Sequence, residues 1–447
     1  MKKINILVEY FSINFQTAKG KFFNDNLFMD SVWSLIGHTV SKSLAFVAGI
    51  IVARILGSDD FGQFGIVRNT FLVAASFSSF GLGYSITWFI SSNLNTNKER
   101  IIPIIKIAFC ITLILSSILA FFLSFFAKEI ITKLDYSHHL IQTFKNLSVI
   151  VVFNSFITTQ TGIISGLGKF KEQANVNIFL GIFTFFVTLI LTYKLGFNGA
   201  LFSLFAVQLF TTIVYSYQIW SFVRYFPKVS SGKINTLVLD VVKFSIPIAF
   251  QESTYYVLAW IGSILLINHG SFSELGLFTA AMHWNSFVLF IPTIVTSVTL
   301  THLSSVDRFS EKMKLVKKSI FITLLPIIFF LFVVSIFSES IENYYGSTFH
   351  GLSILINISI FCSIFSSVSS IFSQLFLISN RNWIVLFLRL FRDAGILLTF
   401  YLFMEFSIFY GAKALVISTL LMNFIYMLAL TFCLFGLNLK TFKKLSV

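Results

Sequence analysis

Twelve times along this chain, an apolar stretch of about 20 residues is bounded by Gly, Pro, Asn or charge. About 20 residues is the length an α-helix needs to cross the hydrocarbon core of a bilayer, where every backbone hydrogen bond must be satisfied internally. The stretches fall near 33–56, 64–90, 101–126, 142–165, 174–193, 197–222, 241–268, 278–303, 316–337, 352–378, 383–404 and 411–435, numbered below as spans 1 to 12. They lack the apolar-polar alternation of a lipid-facing barrel strand. The expected fold is an all-α polytopic membrane protein with 12 transmembrane helices. Composition agrees, since charged residues make up only 11% of the 447 and mean hydropathy is +0.87. A soluble domain carries about a quarter charged residues, so this chain cannot hide its apolar surface from water. Residues 1–30 mix Lys2, Lys3, Glu9, Lys19, Lys21, Asp25 and Asp30 with aromatics and show no cleavage site, and they read as a tail rather than a signal peptide.

Charge orients the spans. With both termini in the cytoplasm, 20 Lys and Arg fall in inside segments and only Lys128, Lys133 and Lys194 fall outside. That is the positive-inside bias of a multi-pass protein, expected here in a bacterial cytoplasmic (inner) membrane. The net charge of +14 therefore points to anionic lipid headgroups and not to nucleic acid. Cys110, Cys362 and Cys433 are far apart, odd in number and inside apolar segments, which favours neither disulfide nor metal. No phosphate-binding loop, zinc-protease motif or nucleophile elbow occurs, so neither an enzyme nor a cofactor is expected.

The chain repeats itself. Asp59 to Gly65 reads DDFGQFG between spans 1 and 2, and Ser273 to Thr279 reads SELGLFT between spans 7 and 8, 214 residues later. GLGKF (Gly166 to Phe170) answers ISNRN (Ile378 to Asn382), and FNGA (Phe197 to Ala200) answers FYGA (Phe409 to Ala412), both at 212. Three landmarks at one spacing imply a duplicated six-helix unit. Because six is even, the copies are parallel, related by an axis along the membrane normal, with the substrate route between them. The expected domains are a tail at 1–30, a bundle at 31–222, a cytoplasmic linker at 223–240, a second bundle at 241–435 and a tail at 436–447. A central cavity is expected between the bundles.

RILGSDDFGQFG (Arg54 to Gly65) resembles the RxLGxxxFGxY-type signature of the O-antigen (Wzx-type) polysaccharide repeat-unit flippases. GLGYS (Gly81 to Ser85), GLGKFK after span 4 and SELGLFTAA (Ser273 to Ala281) are similar to that family as well, although Phe64 stands where Tyr is frequent. The resemblance implies membership of the multidrug/oligosaccharidyl-lipid/polysaccharide exporter superfamily. It also implies a substrate, an oligosaccharide on undecaprenyl diphosphate (an O-antigen, capsule or exopolysaccharide unit), and as partners membrane lipids and a polysaccharide polymerase.

Nine cations lie within the spans (Lys42, Arg54, Arg68, Lys106, Lys145, Lys243, Arg389, Arg392, Lys413) against two carboxylates, Glu252 and Asp393. Each deep charge costs roughly 2.5–3.5 kcal/mol on insertion scales. Arg54, Lys106, Lys243 and Lys413 are near enough to span ends to snorkel. Lys42 is about 13 Å past Trp33 at 1.5 Å per residue, with His38 one turn earlier on the same face. Excess cation in an apolar chamber implies an anionic ligand, and Lys42, Arg68, Lys145, Arg389 and Arg392 are the candidates for a diphosphate path. Arg389 and Asp393 stand i, i+4 and can neutralise one another, which would leave Arg392 free. Glu252 and Asp393 are candidates for ion coupling, with structural pairing as the alternative. His38, Tyr255, Tyr256, Trp260, His283 and Trp284 are candidate sugar-facing groups, or plain packing in a chain with 17% aromatics.

Three rivals share the general pattern. A multidrug exporter of the same superfamily would favour acidic residues, and a lipid-linked peptidoglycan-precursor flippase would have fourteen spans. An O-antigen polymerase, a membrane enzyme, would need a large outer loop, whereas the longest here is about fifteen residues.

Overall fold

The computed structural model describes residues 26–94, 97–133, 140–224, 226–227, 234–290, 309–378 and 381–438, with scattered positions between 292 and 303. Both terminal tails lie largely outside the described residues, as do 225 and 228–233 of the 223–240 linker. The described residues are helical almost throughout, with no strand. Seven helices among them are long and apolar enough to cross a membrane, and two, of 58 and 54 residues, are long enough to cross twice. Spans 7, 8 and 11 lie on Ile234–His269, Phe272–Val288 and Asn382–Glu405. The chain is an all-α polytopic membrane protein, and its helix order fits twelve crossings.

The double crossings turn on single glycines. Helix Asn26–Ser79 carries span 1 into span 2 and breaks at Gly57 (φ 77°), while Phe170–Val223 carries span 5 into span 6 and breaks at Gly196 (φ 56°). Both conformations suit a residue without Cβ. Two spans read as continuous from sequence are interrupted. Span 2 stops at Ser79, bends through Phe80 (φ 50°) and Gly81 (φ 64°), and resumes as Leu82–Leu94. A Cβ on Gly81 would lie 2.9 Å from Cβ of Ile248, so span 2 crosses close against span 7 at this bend. The Ser245 hydroxyl donates to the Ser85 hydroxyl there at 2.8 Å. Span 4 is divided into Leu140–Leu147 and Ile150–Gly166.

The buried core has a telling distribution. At the Gly57 end one cluster joins both halves, with Val52, Phe61 and Phe71 packed among Leu275, Phe349 and Val416. At the opposite end the core is in two parts. One is built on spans 2 to 6 and the start of span 7 (Leu82, Ile101, Ile163, Tyr215, Val241), the other on spans 8 to 12 (Leu303, Val316, Ile371, Leu430). The halves are thus joined through one shared core at the Gly57 end, while at the other end the start of span 7 packs with the first half and spans 8 to 12 keep a core of their own.

Candidate functional site

The repeated motif forms the weld. A Cβ on Gly62 would overlap the carbonyl oxygen of Phe272, and a Cβ on Gly276 would overlap that of Ser58. Ser58 plus the 214-residue offset is Phe272, and Gly62 plus the same offset is Gly276, so each contact is the twin of the other. Gly65 and Thr279 are mutual twins and face each other, with a Gly65 Cβ position 3.0 Å from Thr279 Oγ1. The pattern continues inward. Phe46 meets Trp284 edge-on at 4.9 Å, and its twin contact is the Trp260 indole donating to Thr70 Oγ1 at 2.9 Å. Gly49 is filled by the His283 ring, and its twin is Asn69 donating to Ser263 Oγ at 3.4 Å. Every one of these pairs crosses from one half to the other about a shared two-fold axis. Small residues at the crossing let backbones approach, the usual means of joining helices in lipid.

The closure recruits further turns that sequence reasoning missed. The Ser58 and Ser273 hydroxyls lie 2.6 Å apart, and Ser58 N–H donates to Thr348 Oγ1 at 3.1 Å. Arg54 stacks over Tyr344 at 4.6 Å, and Trp284 donates to the Tyr345 hydroxyl at 3.1 Å. The Glu342 carboxylate accepts from the N–H groups of Gly351 and Ser353, both at 2.9 Å, capping the start of span 10. The Glu274 carboxylate accepts from Ala412 N–H at 2.6 Å, at the start of span 12. The first and third echoes of the sequence, SELG and FYGA, are therefore in contact.

Next to the weld, two cations reach toward the opposite half. Arg68 is solvent-accessible although Ile66, Val67 and Phe71 around it are buried, and it lies within electrostatic reach of Tyr256 and His283 on the opposite half. Lys42 is also accessible, its ammonium 4.9 Å from the ring centre of Phe290 midway along span 8. Neither has an ion-pair partner among the described residues. Each has a neighbour on the opposite half. His38 is exposed one turn from Lys42, and Tyr255 is exposed with its ring edge 5.4 Å from Tyr256. Trp260 and Trp284 are engaged in the closure through their indole N–H groups.

The remaining candidates fall elsewhere. Asp393 pairs with Arg392 and not with Arg389, since Arg392 Nε and Nη2 lie 2.7 and 2.6 Å from Asp393 Oδ1. Arg392 is therefore not a free cation. It also stacks over Tyr426 at 5.1 Å, and its neighbours all belong to spans 10 to 12, inside the second bundle. Arg389 is half-buried one turn earlier on span 11. Lys145 ends the short helix Leu140–Leu147, next to Phe144, which stacks on Phe71 at 5.0 Å. Glu252 is on helix Ile234–His269, and its side chain lies outside the described set.

A model of the family described as "polysaccharide biosynthesis protein" matches residues 51–351, more than half of the chain. The chain belongs to this polysaccharide biosynthesis family. It is 27% identical over 260 residues to an uncharacterized membrane protein of Methanocaldococcus jannaschii, covering 54% of this chain and 59% of that relative's length. Among solved structures, the inward-facing form of a multidrug resistance MATE family transporter of the MOP superfamily aligns with a TM-score of 0.74 at 16% identity, over 93% of this chain and all (100%) of the other. The outward-facing form of a MATE family transporter aligns at 0.64, again 16% identical, covering 93% and 95%. A MOP superfamily transporter of Pyrococcus furiosus, described as having a binding pocket of reverse polarity that suggests a different function, gives 0.64 at 16% identity, with 93% and 95% covered. This member of the polysaccharide biosynthesis family therefore shares its fold with MATE-type transporters.

Proposed function

We propose that the protein carries an undecaprenyl-diphosphate-linked oligosaccharide from the cytoplasmic to the outer leaflet of a bacterial inner membrane, supplying O-antigen, capsule or exopolysaccharide assembly. The observation that carries this reading is the pair Lys42 and Arg68, cations with no ion-pair partner among the described residues, each with a neighbour on the opposite half. A lipid diphosphate supplies the opposing charge, and in a chamber poor in water that attraction is far stronger than in bulk solvent. The positive-inside bias puts the termini in the cytoplasm and the Gly62–Gly276 weld at the outer surface. The structure is then the inward-facing state, in keeping with its higher similarity to the inward-facing MATE form.

Transport proceeds by alternating access. The diphosphate enters from the cytoplasmic side and neutralises Lys42 and Arg68, the outer weld opens, and the halves rejoin at the inner end. Glu252 is the coupling carboxylate, because Asp393 is committed to Arg392. Lys145 and Arg389 serve as outlying steps of the anion path, and Arg392 supports the second bundle. A polysaccharide polymerase receives the product. The nine-to-two excess of basic residues in the spans opposes a multidrug cation as cargo.

The test is complementation of a flippase-deficient strain. Lys42→Ala and Arg68→Ala, each inserted at wild-type level, are expected to lower surface polysaccharide at least about tenfold, while lipid-linked repeat units accumulate on the cytoplasmic face. Wild-type polysaccharide from both variants would overturn the reading.

A further inference from the structure

The 214-residue correspondence, established by contacts on both sides of the axis, allows each residue of spans 1 and 2 to be compared with its twin on spans 7 and 8. Lys42 is the twin of Tyr256, Arg68 of Met282, and Asn69 of His283. A duplication that had kept its chemistry would carry cations on both walls. Here the two cations without an ion-pair partner among the described residues lie on the wall from spans 1 and 2, and at the corresponding places the facing wall carries Tyr256 and Met282. The two kinds of group meet across the gap, for Arg68 is within electrostatic reach of both Tyr256 and His283. His283 is held in place by Gly49, whose missing side chain leaves room for the imidazole, and by the edge of Phe46 at 5.3 Å.

Resting on the function proposed above, we infer that the ligand is bound in one orientation across this gap. Its anionic group lies against Lys42 and Arg68, its sugar rings lie against Tyr256 and His283, and these two residues determine which glycan is accepted. The division follows from what each wall offers. Lys42 supplies a point charge and Arg68 a planar fork to a phosphate-type anion. The phenol and imidazole offer a hydroxyl and ring nitrogens to sugar hydroxyls. Their π-faces are electron-rich and attract the weakly positive C–H face of a pyranose. Few and convergent polar groups of this kind are what fix a ligand's orientation in an otherwise apolar site. Trp260 and Trp284 have their indole N–H groups engaged in the closure, whereas Tyr256 and His283, the latter packed on Gly49 by one side of its ring, are the aromatic groups within electrostatic reach of Arg68.

The experiment measures the affinity of purified full-length protein for two probes, undecaprenyl diphosphate without sugar and the same lipid bearing the oligosaccharide that accumulates in the deletion strain. The readout is the ratio of the two affinities. Lys42→Ala and Arg68→Ala are expected to weaken both probes about tenfold and preserve the ratio. Tyr256→Ala and His283→Asn, the latter installing the residue found at the twin position, are expected to lower the ratio roughly fivefold. Tyr256→Phe, which keeps the ring, should recover part of it. Size-exclusion profiles matching wild type establish that the variants are folded. A ratio unchanged in Tyr256→Ala and His283→Asn, or one that falls equally in the Lys42 and Arg68 variants, would overturn the orientation while leaving the proposed cargo intact. Failure of the wild-type protein to bind either probe would refute the cargo itself, and the orientation with it.

Discussion

Two residues with the same charge in the same membrane have different duties here. Arg68 has no counter-ion among the described residues and faces the gap, whereas Arg392 is fastened to Asp393 inside the second bundle. A buried pair of this kind gives little net stability when intact, but removing one partner leaves a charge uncompensated at a cost of about 3–5 kcal/mol. Asp393→Asn is therefore expected to lower the melting temperature of the purified protein by several degrees, and the paired replacement Arg392→Met with Asp393→Leu to restore most of it. Equal melting temperatures for wild type and Asp393→Asn would show that the pair has no structural role. Glu252 has the opposite standing as the proposed coupling group. Glu252→Gln should stall transport and remove its dependence on a pH gradient, measured in vesicles with an imposed gradient. A variant whose gradient dependence matched wild type would exclude Glu252 from coupling. The Arg392–Asp393 pairing was hidden from sequence reasoning because adjacent residues point about 100° apart on a helix, so i, i+4 partners are the natural expectation. The reach of the guanidinium brings it back to its neighbour.

At the scale of elements, the echoes of the sequence are joints between helices. Glu274, at the start of span 8, accepts a hydrogen bond from the first turn of span 12, where the helix presents unsatisfied N–H groups and a positive dipole end. Gly411 at that helix start has φ 56°, and a side chain there would overlap the Glu274 carboxylate. Glu274→Ala removes both the cap and the tie between spans 8 and 12. The expected loss is about 1 kcal/mol, seen as a lower melting temperature and as faster hydrogen exchange at residues 411–415, with exchange in span 5 unaltered. Uniform exchange across the protein would mean that the tie is not local. The start of span 12 at this joint could be placed from glycine punctuation, since the helix begins at Gly411. The bend of span 2 at Phe80 and Gly81 could not, because it answers to the close passage of span 7 and not to any local break in hydropathy.

For the whole molecule, the halves share one core at the Gly57 end, whereas at the opposite end only the start of span 7 packs on the first half, so the proposed alternating access has to loosen the Gly57-end core. The Ser58 and Ser273 hydroxyls, 2.6 Å apart, mark where the weld can be locked. A Ser58→Cys, Ser273→Cys protein in a Cys110→Ser background should form a disulfide on oxidation and lose transport, recovering on reduction. Each single-cysteine control should retain transport under the same oxidant. Full transport by the cross-linked protein would show that the weld does not open during the cycle.

Hydropathy alone determined that this chain spans a membrane many times, because no other solvent tolerates so many 20-residue apolar runs. Its charge placement and constant repeat offset carried the expected orientation and the idea of two like halves. Which cations stand free was decided only by tertiary structure. An intramembrane charge is neutral or reactive according to what lies across from it, and for Lys42 and Arg68 that partner belongs to the other half, more than 180 residues away along the chain. The packing of Gly62 and Gly276 against each other's neighbours was decided there as well, since a repeated motif specifies a shape, while contact between its two copies depends on where the symmetry axis falls.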